Sequence, residues 1–527
     1  MRQINSNGIP KQLIVKLLRY FFSNFQNSRD FCVCITVAAT LVLAGGSPVV
    51  QAQLIPESQP LDSSCTTMGN ASGAITLCIE SPSNNSTVSG VVTVKAVLSG
   101  PQADIRRAKL IFALNKVGVL TDYLFPYTFE LPTDHFPNGV KTLSVIAELN
   151  DGTKTNPASI DVRINNNNPT VPDKAESFTP YTATPPPLGQ PFVLAAVGDG
   201  ASGESTSVPD LIASWNPGMF LYLGDVYEDG TFTEFYNWYG SGANYFSRFQ
   251  SITNPTVGNH EYTNGVAPGY FEYWNNPPQY YSFDIAGWHF ISLNSNLPRQ
   301  MNPGTPQYYW LAQDLAKNAS QCTLAYFHEP RYSIGSEGDT PRVAAIWRLL
   351  VQHQADIILT GHDHNYQRWE SLDGSGNPDL EGITQFIVGS GGHGIRPFVK
   401  SDARVVKGLD SVDDTYGALR LELYSDRMTF EYINIYGVIL DSGEIPCHRA
   451  ISQLIFHVPS RSTANVRDCP ATNCKRITTL SPGTEVTVLN QVTGEVVSGS
   501  AAWFEVSIGD LHGFIHSSLL IGTPKQH

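Results

Sequence analysis

Five short segments carry residue types that bind hard and borderline metal ions. They are Gly198-Asp199-Gly200, Gly224-Asp225-Val226-Tyr227, Gly258-Asn259-His260-Glu261, Phe327-His328-Glu329-Pro330 and Gly361-His362-Asp363-His364. Together they offer carboxylate, amide, imidazole and phenol donors. Such a set suits two neighbouring cations that share a ligand, the arrangement used to displace groups at phosphorus. A carboxylate such as Asp225 has two oxygens, so it can bridge cations roughly 3.5–4 Å apart. His362 and His364 alternate along the chain, so extended backbone points both to one face. The glycines that precede Asp199, Asp225, Asn259 and His362 permit tight turns and close backbone approach. A lone Gly-Asp is more often a turn or a helix cap, and a lone histidine more often a satisfied core residue. Five such segments in this order, each after an apolar run, are not explained by turns and caps.

Positioning these residues requires strands that end where the segments begin. Phe192 to Val197, Met219 to Leu223 and Asp356 to Leu359 read as buried strands, and helical spacing runs over Thr305 to Lys317 and Pro341 to Gln352. Strands alternating with helices over 190–448 predict an α/β domain whose ligand site gathers at the carboxyl ends of its strands. Residues 77–165 show short alternating strands such as Val91 to Val94 and Leu143 to Ala147, with turns at Asn138-Gly139 and Asn150-Asp151-Gly152. That pattern predicts a β-sandwich, with a spacer or binding role as its default. A Pro-rich linker at 166–189 joins it to the central domain, and 460–523 is again all-β in pattern.

The chain has 527 residues, enough for about two to four domains. Its formal net charge of -14 and the lack of a basic run beyond the N-terminus argue against a duplex-binding role. Residues 1–52 read as an export signal. Lys11, Lys16 and Arg19 precede an apolar stretch from Phe31 to Ala44, with cleavage expected after Ala52. The stretch falls short of the roughly 20 residues of a membrane span, so no span is expected in the mature chain. An uncleaved anchor is the alternative. Residues 53–76 read as a polar, extended linker. Six cysteines remain beyond the signal, an even number that suggests disulfides in an exported protein. Proximity favours Cys65–Cys78 and Cys469–Cys474, which leaves Cys322 to pair with Cys447.

On the ordered motifs, residues 190–448 resemble metallophosphoesterases, most closely the purple acid phosphatase branch. The resemblance implies a four-layer αββα sandwich around two metal ions, Fe plus Fe, Zn or Mn. It also implies Asp199 and His364 on the first ion, Asp225 as the bridge, and Asn259, His328 and His362 on the second. His260 matches the branch's histidine beside the substrate. Three departures stand out. Ala201 occupies a position that is histidine in the wider superfamily. Tyr227 lies two residues after Asp225, one fewer than is usual for the branch's tyrosine ligand. Glu329 stands where many relatives have a histidine. Arg331, Glu329 and Asn365 are candidate substrate contacts, with Tyr366 and Arg368 as orienting groups. Gly389-Ser390-Gly391-Gly392 lacks the Lys-Ser/Thr of a nucleotide loop and reads as a tight turn near the site. Residues 77–165 resemble bacterial immunoglobulin-like modules. The tail resembles the bacterial Src-homology-3-like domain, a small β-barrel that in relatives often binds cell-wall peptides.

The whole is expected to be a secreted, periplasmic or envelope phosphatase. It would hydrolyse phosphate monoesters by attack of a metal-bound hydroxide, with His260 as general acid. The rivals are a phosphodiesterase acting on nucleotides or lipid head groups, and an inert envelope-binding protein.

Overall fold

The computed structural model describes residues 64–70, 72–166, 178–183, 186, 190–203, 206–262, 265–297, 299–318, 320–413, 415–448, 454–508 and 511–521. The expected export signal, and most of the expected linker at 166–189, lie outside them.

The N-terminal module consists of two sheets. One joins β1 (Cys65–Asn70), β2 (Gly73–Ser81), β4 (Val91–Ser99) and β7 (Thr128–Pro132); the other joins β3 (Ser86–Val88), β9 (Ala158–Ile164), β8 (Gly139–Glu148), β5 (Lys109–Leu114) and β6 (Val117–Asp122). Alternation drives the pairing. In β4, Val94, Ala96 and Leu98 are buried while Thr93 and Lys95 face water. Pairing starts inside the stretch read as a polar linker, because β1 lies in register along β2, with Cys65 opposite Cys78. The disulfide between those two cysteines fastens the strand at the edge of the sheet.

The central domain has two further sheets. The first runs β11 (Met219–Tyr222), β10 (Phe192–Val197), β19 (Gly417–Leu423), β20 (Arg427–Asn434), β21 (Ile439–Pro446). The second runs β12 (Tyr281–Ile285), β13 (Trp288–Ser292), β14 (Cys322–Tyr326), β15 (Ile357–Thr360), β17 (Ile383–Val388), β16 (Tyr366–Leu372), β18 (Val405–Leu409). β13, β14, β15 and β17 are parallel neighbours. β14, β15 and β17 are buried along their whole length, as expected for parallel strands covered on both faces. Helices cover Pro306–Lys317 and, after a 3-10 turn at Pro341–Val343, Ala344–Gln352. Leu311 and Leu315 of the first are buried, while Tyr309 points to solvent. The Cys322–Cys447 disulfide ties interior strand β14 to the chain just past edge strand β21.

One expected strand is absent. The Asn259 segment follows an irregular run in which Asn254 and Thr256 donate backbone bonds to Phe220 and Tyr222 of β11 at 3.1 and 3.0 Å. The run makes only an isolated parallel bridge, Thr253 opposite Phe220, and no named strand forms there.

The tail forms a six-stranded sheet, β22 (Leu454–His457), β25 (Glu485–Val497), β26 (Ser500–Ile508), β27 (Leu511–His516), β23 (Ala464–Arg467), β24 (Arg476–Leu480). β22 lies ahead of the start expected at residue 460. It is held there by its pairing with β25. The Cys469–Cys474 disulfide closes the turn after β23. No helix among the described residues is long and apolar enough to cross a membrane, which says nothing of membrane β-barrels.

Candidate metal centre

Four of the five segments leave the carboxyl ends of β10, β11, β14 and β15; the fifth runs beside β11. Asp199, Asp225 and His362 each adopt a left-handed backbone, with φ of 58°, 66° and 74°. Few non-glycine residues do so, and those that do gather at functional sites. The conformation turns each side chain sharply off its strand. Two glycines make room for the result. A Cβ at Gly258 would lie 2.0 Å from Asp225 Oδ1, and one at Gly361 would lie 2.3 Å from Asp199 Oδ2.

The side chains form two overlapping groups. In the first, the Tyr227 hydroxyl lies 2.8 Å from Asp199 Oδ1, 3.1 Å from Asp225 Oδ2 and 2.7 Å from His364 Nε2. In the second, His328 Nε2 lies 3.1 Å from Asp225 Oδ2 and 3.0 Å from Asn259 Oδ1. One donor atom each of Asp225, His328 and His362 fall within 4.8 Å of one another. Asp225 belongs to both groups. Ring orientations are fixed from behind, with His328 Nδ1 donating to Leu223 O at 2.8 Å and His364 Nδ1 to Gly394 O at 3.0 Å. Glu261, buried, accepts the backbone N–H of Asp225 at 3.2 Å and also those of Val226 and Gly258. It thereby locks the Asp225 loop to the Asn259 loop.

Electrostatics favour a cation here. Asp199 and Asp225 are 0% and 1% exposed, and their ion-pair partners are histidines rather than Lys or Arg. Burial pushes the Asp199 carboxyl up to about 7, against the pull of His328. Burial also works on Asp225, yet the facing His328 and the adjacent His260 hold it well below the usual carboxylate range. His328 is pushed up to about 10, because Asp225 and Asp199 outweigh the cost of burying its charge. Burial, with His328 nearby, holds His362 down to about 3; burial, with Arg396, holds His364 down to about 4. Neutral imidazoles are the form that ligates metal. Burial and the two carboxylates push the Tyr227 phenol well above its ordinary value. Buried carboxylates require a charge partner, so this donor set fits metal cations.

His260 stands beside both groups. Its backbone N–H donates to Asp225 Oδ1 at 3.0 Å, its Nδ1 donates to the Glu228 carbonyl at 2.6 Å, and its ring centroid is 4.4 Å from that of Tyr227. Burial opposes its charge, but Asp225 and Glu228 leave its pKa above the ordinary value.

Arg331 stacks over Tyr332 at 4.3 Å. Glu329 pairs with Arg342, and its Oε2 has no hydrogen-bond partner among the described residues. The Asn365 side chain accepts from Gln367 Nε2 at 2.9 Å within the wall of the site. Tyr366 and Arg368 both bind Asp441 of β21, at 2.9 and 2.8 Å. Two residues absent from the sequence reading stand close in. The His393 ring stacks on Tyr227 at 3.7 Å. Arg342 acts electrostatically on His362. The Gly389–Gly392 turn runs straight into His393, and that Gly-His junction, like Gly361-His362, was the available signal.

Residues 203–366 match the calcineurin-like phosphoesterase family, residues 76–145 the bacterial Ig domain and residues 462–521 the bacterial SH3 domain. Purple acid phosphatase 21 of Arabidopsis thaliana is 28% identical over 233 residues, covering 40% of this chain and 52% of its own length. Tartrate-resistant acid phosphatase type 5 of Rattus norvegicus is 26% identical over 163 residues, covering 30% and 47%. The chain thus spans about half the length of the curated relatives it matches. A solved purple acid phosphatase from yellow lupin (Lupinus luteus) seeds aligns with a TM-score of 0.42 and 16% identity over 68% of this chain and 72% of its own.

Proposed function

We propose, from the premise that the central domain is a calcineurin-like metallophosphoesterase with purple acid phosphatases among its relatives, that this chain hydrolyses phosphate monoesters at a two-metal centre. The observation that carries the reading is the sharing of Asp225 between the Asp199–Tyr227–His364 group and the His328–His362–Asn259 group. In this reading Asp199, Tyr227 and His364 hold one ion, Asn259, His328 and His362 the other, and Asp225 both. Bound there, the ions would activate water and neutralise charge on the phosphoryl oxygens. Fe paired with Fe, Zn or Mn suits a donor set that includes a phenol.

The protein's own groups do the rest. Glu261 fixes the loop that presents Asp225. The Glu228 carbonyl can only accept, so the proton of that bond sits on His260 Nδ1, and Nε2 is the nitrogen that passes a proton to the leaving oxygen. Asp225 and Glu228 favour the charged imidazolium that such a donor needs. The Ig-like and SH3-like modules and the disulfides are compatible with an extracellular or envelope location, with the tail as a wall-binding module.

A panel of phosphate monoesters and diesters, assayed on protein of measured metal content before and after chelation, tests the reading. Monoester turnover that disappears with the metal is expected. Metal-replete protein inert toward every ester would refute it.

A further inference from the structure

The Ig-like module reaches into the catalytic domain through the loop that follows β6. A buried carboxylate, Glu234, joins the two. Its Oε1 accepts the backbone N–H of Thr121 in β6 at 3.1 Å and that of Glu228 at 3.0 Å, while its Oε2 accepts those of Asp229 and Thr231 at 3.0 Å. Farther along, Glu130 and Asn237 exchange two hydrogen bonds of 2.8 Å, and His135 stacks on Phe232 at 3.7 Å. These contacts hold the module in one place against the loop that carries Tyr227 and Glu228.

That placement brings Tyr123 to the rim of the metal centre. Burial, with the Glu228 carboxylate nearby, pushes its hydroxyl well above the ordinary value, and its ring meets that of His393 edge-on at 6.4 Å. His393 lies flat on Tyr227, and His260 packs beside Tyr227 at 4.4 Å. Four rings thus run from the bridging carboxylate outward to the Ig-like module. The Glu228 carboxylate faces His393 at 3.8 Å, and its backbone carbonyl holds His260. Leu124 comes next. It is 47% exposed, yet it packs over the turn that follows Asp199, where a Cβ at Gly203 would lie 2.8 Å from Leu124 Cδ1. Lys109 lies 5.9 Å over the Tyr123 ring and is paired with Glu148 at 3.4 Å.

We infer that Tyr123 and Leu124 of the Ig-like module form the leaving-group wall of the active site, and that this wall selects phosphate esters of aromatic alcohols. The inference rests on the phosphomonoesterase reading, in which His260 marks the leaving-group side. A flat apolar group leaving from that side meets ring edges and a leucine side chain. Each stabilises it by removing apolar surface from water and by edge-to-face contact. A methyl substituent offers much less apolar surface to these contacts than a phenyl ring, and a bare phosphate offers none. Tyr123 and Leu124 are specificity residues; neither touches the phosphorus.

Equilibrium binding to the full-length, metal-replete protein tests this without turnover. The probes are phenylphosphonate, methylphosphonate and inorganic phosphate, measured by calorimetry. The wild type is expected to bind phenylphosphonate about tenfold more tightly than methylphosphonate, the order expected from burying one ring face. Tyr123→Ala and, as an independent exposed-site variant, Leu124→Ser should each bring that ratio to within about twofold while leaving phosphate affinity unchanged. Phosphate binding with the same phenyl-to-methyl ratio in the wild type and both variants would overturn the wall. A wild type that binds none of the three probes would overturn the phosphoester reading itself, so the two failures are told apart.

Discussion

The inner and outer parts of the candidate site are assembled in different ways. The inner donors, Asp199, Asp225, Asn259, His328, His362 and His364, come from short loops of one domain, most of them at the ends of neighbouring strands. The outer wall comes from distant pieces of chain: Tyr123 and Leu124 from the N-terminal module, and His393 from the turn after β17. The inner part is over-determined, because three left-handed residues, two crowded glycines and Glu261 all constrain it. The outer part depends on contact between two domains, chiefly through Glu234. The difference teaches that chemistry and preference can be separated on this scaffold: the first sits on strand ends, the second on an attached module.

The largest effect should come from the inner part. Asp225→Ala removes the carboxylate common to both groups and should lower turnover about a thousandfold or more while also lowering metal content. A fully active variant with full metal would contradict the shared carboxylate and with it the two-metal reading. Next, His260→Ala should slow an alkyl phosphate far more than nitrophenyl phosphate, because an alkoxide needs a proton to leave and a nitrophenolate hardly does. Equal losses on both substrates, measured on the chemical step, would move His260 out of the acid role and into the wall.

Tyr227→Phe sharpens the boundary between the parts, since Tyr227 belongs to the donor cluster and also carries His393. The iron-loaded wild type should be coloured by phenolate-to-metal charge transfer, and the variant should lose the colour. A colourless, active, iron-loaded wild type would assign Tyr227 to the wall alone.

A smaller effect is expected far from the site. His289 is hydrogen-bonded to Asp284 at 2.7 Å and Asp314 at 2.9 Å. Burial opposes its charge, yet these carboxylates push it up to about 9. A raised histidine contributes stability that is fully present below its unfolded value of about 6.5 and lost as pH rises through about 9. Asp314→Asn should therefore lower the melting temperature at about pH 6 and change it much less at about pH 10. Least of all, removing the residues after Pro459 should leave turnover of a soluble ester unchanged while weakening retention on cell-envelope material.

The inner part was legible in the sequence because the donors sit in five short motifs, four of them opened by a glycine. Strand ends then gather such motifs without long-range information. The outer part was not legible, since nothing near Tyr123 in the chain marks it as a neighbour of His393. Polar residues beside a motif were harder to read. Arg368 and Tyr366 follow His364 closely, and both bind Asp441 of β21. Asn365 accepts from Gln367, and Arg331 stacks over Tyr332. In the fold, β10, β11 and β15 stood out as apolar runs. The Asn259 segment instead follows Thr253-Asn254-Pro255-Thr256-Val257, a largely polar run that makes only an isolated bridge to β11.

The most direct test of the central claim is anomalous X-ray diffraction from crystals of the metal-replete protein, recorded on either side of the metal absorption edges. Two peaks, one beside Asp199, Tyr227 and His364 and the other beside Asn259, His328 and His362, with Asp225 in contact with both, are the predicted result. A single peak, or two peaks that do not share Asp225, in crystals of protein that hydrolyses phosphate esters would contradict it.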